Sequence, residues 1–338
     1  MTPRPILAFL LFGGLALWGQ SPVTDKTLRF ANTPSGLHRE QVATVIGGLT
    51  ESELKLQNGE LGVRASGEQL QLAEWLLAML DRTPDMPAPQ PANAAAGEFR
   101  LNNGSELVRL VYVPWVGTNQ QLAEVSTIVR STSEIKRLFV YEPLKVMAMR
   151  GSSEQLASGE WLVAQLAPGV RANEGDKHEF QLSAAAPDRV LRIMTATFAK
   201  TPRELAEAAT VVRSITGIRR VFTENQGLHL ALRGTAGQMQ VADWLLQRFA
   251  NKPRVRMAAY TGTVPENSQK PAEAIADRLA LHYLNVPDRG TLEKIAGEVR
   301  KEGQLPYVFL YGPHNALAIR GNASQLATAD RLLKERGY

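Results

Sequence analysis

Apolar residues in this chain follow two rhythms that alternate in a fixed order. Over 228–232 (Leu-His-Leu-Ala-Leu) they recur at nearly every second position, the period of a strand with one buried face. Over 239–249 they fall at Met239, Ala242, Leu245, Leu246 and Phe249, one stripe of a helical period and the expected core face. Between the two lies a motif at 233–246, Arg-Gly-Thr-Ala-Gly-Gln-Met-Gln-Val-Ala-Asp-Trp-Leu-Leu. Recognisable copies begin at Arg64, Arg150 and Arg320, so the four arginines are spaced by 86, 83 and 87 residues. The pattern predicts an α+β chain of four tandem strand–helix–strand–strand–helix units joined by short linkers.

A helix start is written into every copy. Ser66, Ser152, Thr235 or Asn322 offers a side-chain oxygen to an unpaired helix N–H, and Gln69, Gln155, Gln238 or Gln325 reaches back three residues, a capping box worth about 1 kcal/mol. Gly151, Gly234 and Gly321 before the cap suit a sharp corner, where the first unit has Ala65. Trp75, Trp161 and Trp244 stand nearly opposite the apolar stripe of their helices. These three are the candidate interface residues. Each packs on a linker or adjoining unit of this chain, or is reserved for another molecule, and offers about 150–250 Å² to whatever covers it. The fourth copy has Arg331 there, as suits a terminal unit with no successor.

Units are expected at 23–82, 98–167, 177–250 and 254–338, after a segment at 1–20 with the character of an export signal. In unit one, strands at 27–31, 54–57 and 61–64 surround a helix at 39–49, and Asn58-Gly59 predicts a tight hairpin. Residues 83–97, rich in proline and alanine, read as a linker. Unit two adds a strand at 98–101 to strands at 107–113, 135–141 and 145–149, with a helix capped at Thr118. Unit three has strands at 179–182, 190–196, 218–223 and 228–233 and a capping box at Thr201 and Glu204. Unit four opens on a long stretch at 260–274, followed by strands at 278–284, 307–311 and 316–320 and a helix capped at Asp288. Residues 128–135 match 211–218 without a gap, so the repeat covers whole units. Each has its own apolar stripe, which predicts beads with small mutual contacts.

Composition narrows the class. With 338 residues, 44% apolar and 21% charged, the chain is ordinary globular material. Cysteine is absent, which excludes disulfides, thiolate metal sites and thiol enzymes. The net charge of +5 is spread along the chain, as at Arg219-Arg220, Arg254 and Arg256, and reads as a solvated surface before it reads as a site for an acidic polymer or anionic membrane. After Arg4, an apolar run at 6–18 is short for a membrane span and right for the core of an export signal, with Gly19 a candidate cleavage residue. An uncleaved N-terminal anchor is the alternative.

The order of elements, with a strand ending in Arg-Gly-Thr at 233–235 and a helix carrying Ala-Asp-Trp-Leu-Leu at 242–246, resembles the periplasmic N-terminal, ring-building domains of secretins. Secretins are the outer-membrane channels of type II and III secretion and of type IV pili. The resemblance implies KH-like domains that stack through strand–helix faces and bind inner-membrane partners. Residues 228–233 with Gly234, Thr235 and Gln238 match best. No glycine-rich channel region follows Tyr338, so pore formation is not implied and only a scaffold or partner-binding role carries over.

Chemical motifs are missing from the sequence. His38, His178, His229, His282 and His314 occur singly, without metal-ligand spacing, and read as surface or strand residues. There is no Gly-x-Ser-x-Gly elbow, Walker lysine loop or dinucleotide glycine fingerprint. Val45-Ile-Gly-Gly-Leu49 lacks the glycine spacing of a nucleic-acid-binding KH loop. Carboxylates such as Glu207 and Asp243 read as solvated helix faces. The expected protein is exported, most simply periplasmic, and not an enzyme. It acts as a scaffold or adaptor through an envelope protein partner or self-association, without cofactor, metal, nucleic acid or small-molecule substrate. Membrane contact is expected only through an uncleaved N-terminal segment. Binding to cell-wall polymer or an anionic membrane surface is the rival reading, and a hydrolase the third.

Overall fold

The computed structural model describes residues 23–33, 35–83, 97–169, 178–183, 188–251, 255–265 and 277–338. The expected signal at 1–20, most of the linker at 83–97 and part of the stretch at 260–274 lie outside them. The fold is α+β: four strand–helix–strand–strand–helix units in succession, each with an antiparallel sheet. The chain divides into two compact bodies, residues 1–81 and 82–338.

The first body is unit one: β1 (Thr24–Arg29), α1 (Gly36–Thr50), β2 (Glu53–Gln57), β3 (Glu60–Ala65) and α2 (Gly67–Leu80), with sheet order β1-β3-β2. Asn58 and Gly59 join β2 to β3 at φ of 50° and 78°, the left-handed pair that a two-residue hairpin turn requires. Asp81 closes the unit by accepting the backbone N–H groups of Ala31 at 2.5 Å and Thr33 at 2.6 Å.

The second body holds units two to four, each with an extra edge strand. Unit two is β4 (Glu98–Leu101), β5 (Glu106–Tyr112), α3 (Asn119–Thr132), β6 (Arg137–Tyr141), β7 (Val146–Gly151) and α4 (Ser153–Leu166). Unit three is β8 (His178–Gln181), β9 (Val190–Thr195), α5 (Pro202–Thr216), β10 (Arg220–Glu224), β11 (His229–Gly234) and α6 (Ala236–Ala250). Unit four is β12 (Met257–Ala259), β13 (Arg278–Tyr283), α7 (Arg289–Glu302), β14 (Tyr307–Tyr311), β15 (Ala316–Gly321) and α8 (Ala323–Glu335). The sheet orders β4-β5-β7-β6, β8-β9-β11-β10 and β12-β13-β15-β14 are the same order three times. Among the described strands and α-helices, β12 is the one the sequence pattern does not predict.

Beads with small contacts do not describe this body, because each sheet is apolar on both faces. In unit three, Val190, Leu230 and Leu232 join the core of α5 and α6, while Leu191, Ile193 and Ala231 join the core of α3 and α4 in unit two. In unit four, Leu317 and Ile319 pack with α7 and α8, while Leu279, Leu281 and Ala318 pack into the core of unit three. The two helices of one unit thus cover the outward sheet face of the next. Separating the units would expose a full apolar sheet face at each junction.

Candidate interaction surfaces

The arginine that opens the motif ends the strand before the capped helix, and in units three and four its side chain leaves its own unit. Arg233 Nη1 donates to the carbonyl of Thr132, the last residue of α3, at 2.7 Å. Arg320, only 1% exposed, donates in the same way to the carbonyl of Ile215 in α5 at 2.6 Å. The C-terminus of a helix leaves carbonyls unpaired and carries partial negative charge, so a buried guanidinium is favoured there twice over. A carboxylate just ahead of the unit's second strand holds its other side, Asp188 at 3.2 Å from Arg233 and Asp277 at 2.8 Å from Arg320. Arg150 keeps the corresponding partner, Glu106, at 3.0 Å, and Arg64 is exposed.

A second junction contact also repeats. Glu124 on α3 accepts the backbone N–H of Asn225 at 3.3 Å, and Glu207 on α5 accepts that of Gly312 at 3.1 Å. Glu207 also pairs with Arg289 and is 14% exposed, so it is not the solvated carboxylate the sequence suggests. Asp243 is likewise buried, paired with Arg192. Both corrections have one cause, since a neighbouring element covers the helix face that periodicity assigns to water.

Trp161 and Trp244 lie at successive junctions. The Trp161 ring is 5.8 Å from that of Phe180 in β8, and Trp244 meets Tyr260 edge-on at 5.6 Å, with the Arg248 guanidinium 5.5 Å over its own ring. Trp75 on α2 is half-buried. The aromatic partners Phe180 and Tyr260 escape the sequence reading, and their one signal is an aromatic residue near the edge strand of the unit that follows.

The capped helices form as expected in all four units. The glycine before each cap serves a different purpose from the one expected. Gly151, Gly234 and Gly321 have ordinary φ, but a Cβ on any of them would stand 2.8 Å from Oε1 of the capping glutamine. Those glutamines also donate from Nε2 to backbone carbonyls at the C-terminal end of the first helix, Gln155 to Glu134 just past α3 and Gln238 to Thr216, the last residue of α5, which ties both helices together.

Docking faces change character in units one and four. The outward sheet face of unit one carries Thr27, Lys55 and Arg64, all exposed. On the α7 and α8 face, Glu298, Glu302, Arg331 and Arg336 occupy the positions of Val211, Ile215, Trp244 and Phe249, and Lys294 that of Glu207. Arg336 bridges Glu298 at 3.2 Å and Glu302 at 2.6 Å. Another sheet docked here would bury those charges, at a cost of several kcal/mol each.

The buried polar groups are structural in their geometry. Glu224 accepts Gly227 N–H at 2.7 Å and sits 3.0 Å from Nδ1 of His229. Burial pushes its pKa up, but the His229 and turn hydrogen bonds outweigh it and leave the carboxyl below its usual range. His314 contacts the Phe249 carbonyl at 2.6 Å across the junction. Among the described residues no cluster of three or more His, Asp or Glu side chains could hold a metal ion, and no helix is long and apolar enough to cross a membrane.

No protein-family model matches the chain, and no curated protein matches it in sequence. Among solved structures it is similar to Dim2p from Pyrococcus horikoshii OT3, at 14% identity over 44% of this chain and 93% of that one, with a TM-score of 0.25. It is also similar to the N-terminal domain of the secretin XcpQ from Pseudomonas aeruginosa, at 12% identity over 68% of this chain and 100% of that one, with a TM-score of 0.22. A chain of the ETEC pilotin–secretin AspS–GspD complex matches at 9% identity, 93% of this chain and 55% of that one, with a TM-score of 0.17. Values this low assign neither an activity nor a partner.

Proposed function

We propose that the chain is an exported, non-catalytic scaffold or adaptor that works in the periplasm through protein–protein contacts, alongside a secretion or pilus-type machine. The observation that supports this reading is the junction itself. The buried arginines and the aromatics at the unit boundaries are consumed in holding one unit to the next, as in Arg233 on Thr132 and Arg320 on Ile215. Such a body presents surfaces at fixed spacing, which suits a scaffold. The charged α7 and α8 face and the polar sheet face of unit one disfavour end-to-end stacking of copies, so the partner is a different protein. The segment at 1–20 supplies export, and Trp75 stays a candidate contact for that partner.

Photo-crosslinking in cells, from positions on α7, α8 and the β12 edge, tests the reading. Discrete protein adducts from an osmotically released pool are expected. Retention in the cytosol would sink it, as would salt-sensitive binding to cell-wall sacculi or anionic vesicles without protein adducts, the behaviour of a polymer- or membrane-binding module.

A further inference from the structure

One ion pair recurs in the first three units and is dismantled in the fourth. The second helix of each unit carries a carboxylate ten residues after the motif arginine: Glu74, Glu160, Asp243 and Asp330. In units one to three a cation on the neighbouring strand meets it, Lys26 at 2.5 Å from Glu74, Arg109 at 2.7 Å from Glu160, and Arg192 beside Asp243. The three cations are register equivalents, facing Val63, Met149 and Leu232, the residues just before the motif arginine. In units two and three the edge strand adds a second carboxylate, Glu98 or Glu179, to the same guanidinium.

Unit four keeps the helix carboxylate and loses the rest. Ala280 faces Ile319 at the cation's register position, and Ala259 stands opposite Ala280 where the edge carboxylate would be. These two alanines, with Ala323 and Ala327, line a cavity of about 660 Å³ that Asp330 and His282 also line. His282 is 4% exposed, and its Nε2 has no hydrogen-bond partner among the described residues. An unpaired buried ring nitrogen is costly and points to a group that would satisfy it. Burial holds the pKa of His282 down at about 4, so the ring is neutral at pH 7 and, with its proton on Nδ1, accepts at Nε2. Asp330 holds Lys334 at 2.6 Å, but that lysine is 69% exposed and one turn along the same helix, a contact that exchanges readily.

We propose that the cavity of unit four receives an arginine side chain from a partner protein, whose guanidinium takes the place that Arg192 fills in unit three and donates to Asp330 and to Nε2 of His282. The inference rests on the reading of the chain as a protein-binding scaffold and names the chemistry of what it binds. An arginine fits better than a simple cation because the planar fork reaches two acceptors at once, as Arg109 and Arg192 do in their own units.

The test uses the full chain labelled with ¹⁵N-histidine, whose five histidines give a readable spectrum. It is titrated with acetyl-Ala-Arg-Ala-amide and with the citrulline counterpart, which keeps the shape and removes the charge. A saturable shift of the His282 ring is expected with the arginine peptide, weakened about tenfold or more with citrulline and in Asp330→Asn. Ala280→Arg, which rebuilds the pair of unit three, should abolish binding while the other histidine signals stay in place. Equal response to both peptides, no saturable shift, or binding that survives Ala280→Arg would overturn the proposal. Because the peptide assay needs no envelope, its failure and that of the in-cell crosslinking are separate results.

Discussion

The guanidinium of Arg320 sits 2.6 Å from the carbonyl oxygen of Ile215, although the two residues belong to different units and stand 105 positions apart. Nε of the same side chain reaches Asp277 at 2.8 Å and Nη2 the carbonyl of Pro265 at 2.7 Å. One buried side chain therefore satisfies the end of α5, the approach to β13 and the stretch that follows β12. Arg320→Met keeps the apolar stem and removes all three donations, so urea denaturation should show a loss of about 3 kcal/mol or more. Arg64→Met, at the same motif position but exposed, should stay within about 0.5 kcal/mol of the parent. Equal effects would mean that the junction adds nothing to the role of the arginine.

Unit four supplies its own instruction for ending the stack. Ile215 is fully buried between α5 and the sheet of unit four, while the matching residue of α7 is Glu302. Ile215→Glu places an unpaired carboxylate in an apolar junction, with an expected cost of about 3 kcal/mol or more. Unit four should then melt or be clipped separately near 251–257, with unit two unaffected. Trp244→Ala, which removes the ring against Tyr260, should weaken the same junction by about 2 kcal/mol, since the ring is only partly buried. Limited proteolysis followed by mass spectrometry reads both.

His282 gives unit four a pH dependence with a definite sign. Its folded pKa of about 4 lies below the ordinary histidine value of 6.5, because burial disfavours the charged ring. Above about pH 6.5 neither state carries the proton and nothing is lost. Between about 6.5 and 4 the unfolded chain takes a proton that the folded chain refuses, so stability falls with pH, by about 2 kcal/mol at pH 5. His282→Leu should flatten that part of the profile in urea melts at pH 7.5 and 5. A variant with an unchanged slope would place the titration elsewhere.

What the sequence discloses here is the local part of the structure. Caps, hairpin and helical stripes depend on residues within one turn of each other, so Thr235 with Gln238, or Asn58 with Gly59, are legible by eye. The junctions are not, because Arg233 and Arg320 look like ordinary cations at strand ends until a helix terminus from another unit is brought to them. Run 190–193 held a hint: apart from Arg192 it is apolar at successive positions, the mark of a strand buried on both faces. β12 offers only Met257-Ala-Ala259, too short for any period to show. The tryptophans could be singled out as off the stripe, but what covers two of them could not.

Gly234 puts the remaining local reading to a quantitative trial. A corner that needed left-handed backbone would reject alanine outright, yet Gly234 lies at ordinary φ and its constraint is contact. A Cβ there would stand 2.8 Å from Gln238 Oε1 and 3.2 Å from the Ile218 side chain. That oxygen accepts the Thr235 N–H at 3.0 Å, so Gly234→Ala must push the capping glutamine off its partner. The lost cap, about 1 kcal/mol, and the crowding at Ile218 oppose the roughly 0.4–1 kcal/mol that alanine gains by restricting the unfolded chain, leaving a net loss of about 1 kcal/mol. In a Gln238→Ala background the obstructing oxygen is gone, and the same Gly234→Ala change should become neutral or slightly stabilising. A double-mutant cycle in urea isolates the coupling. Additive effects would show that the glycine answers to the backbone after all, and that Ala65 in unit one is tolerated for some reason other than the looser 3.2 Å contact between its Ser66 N–H and Gln69.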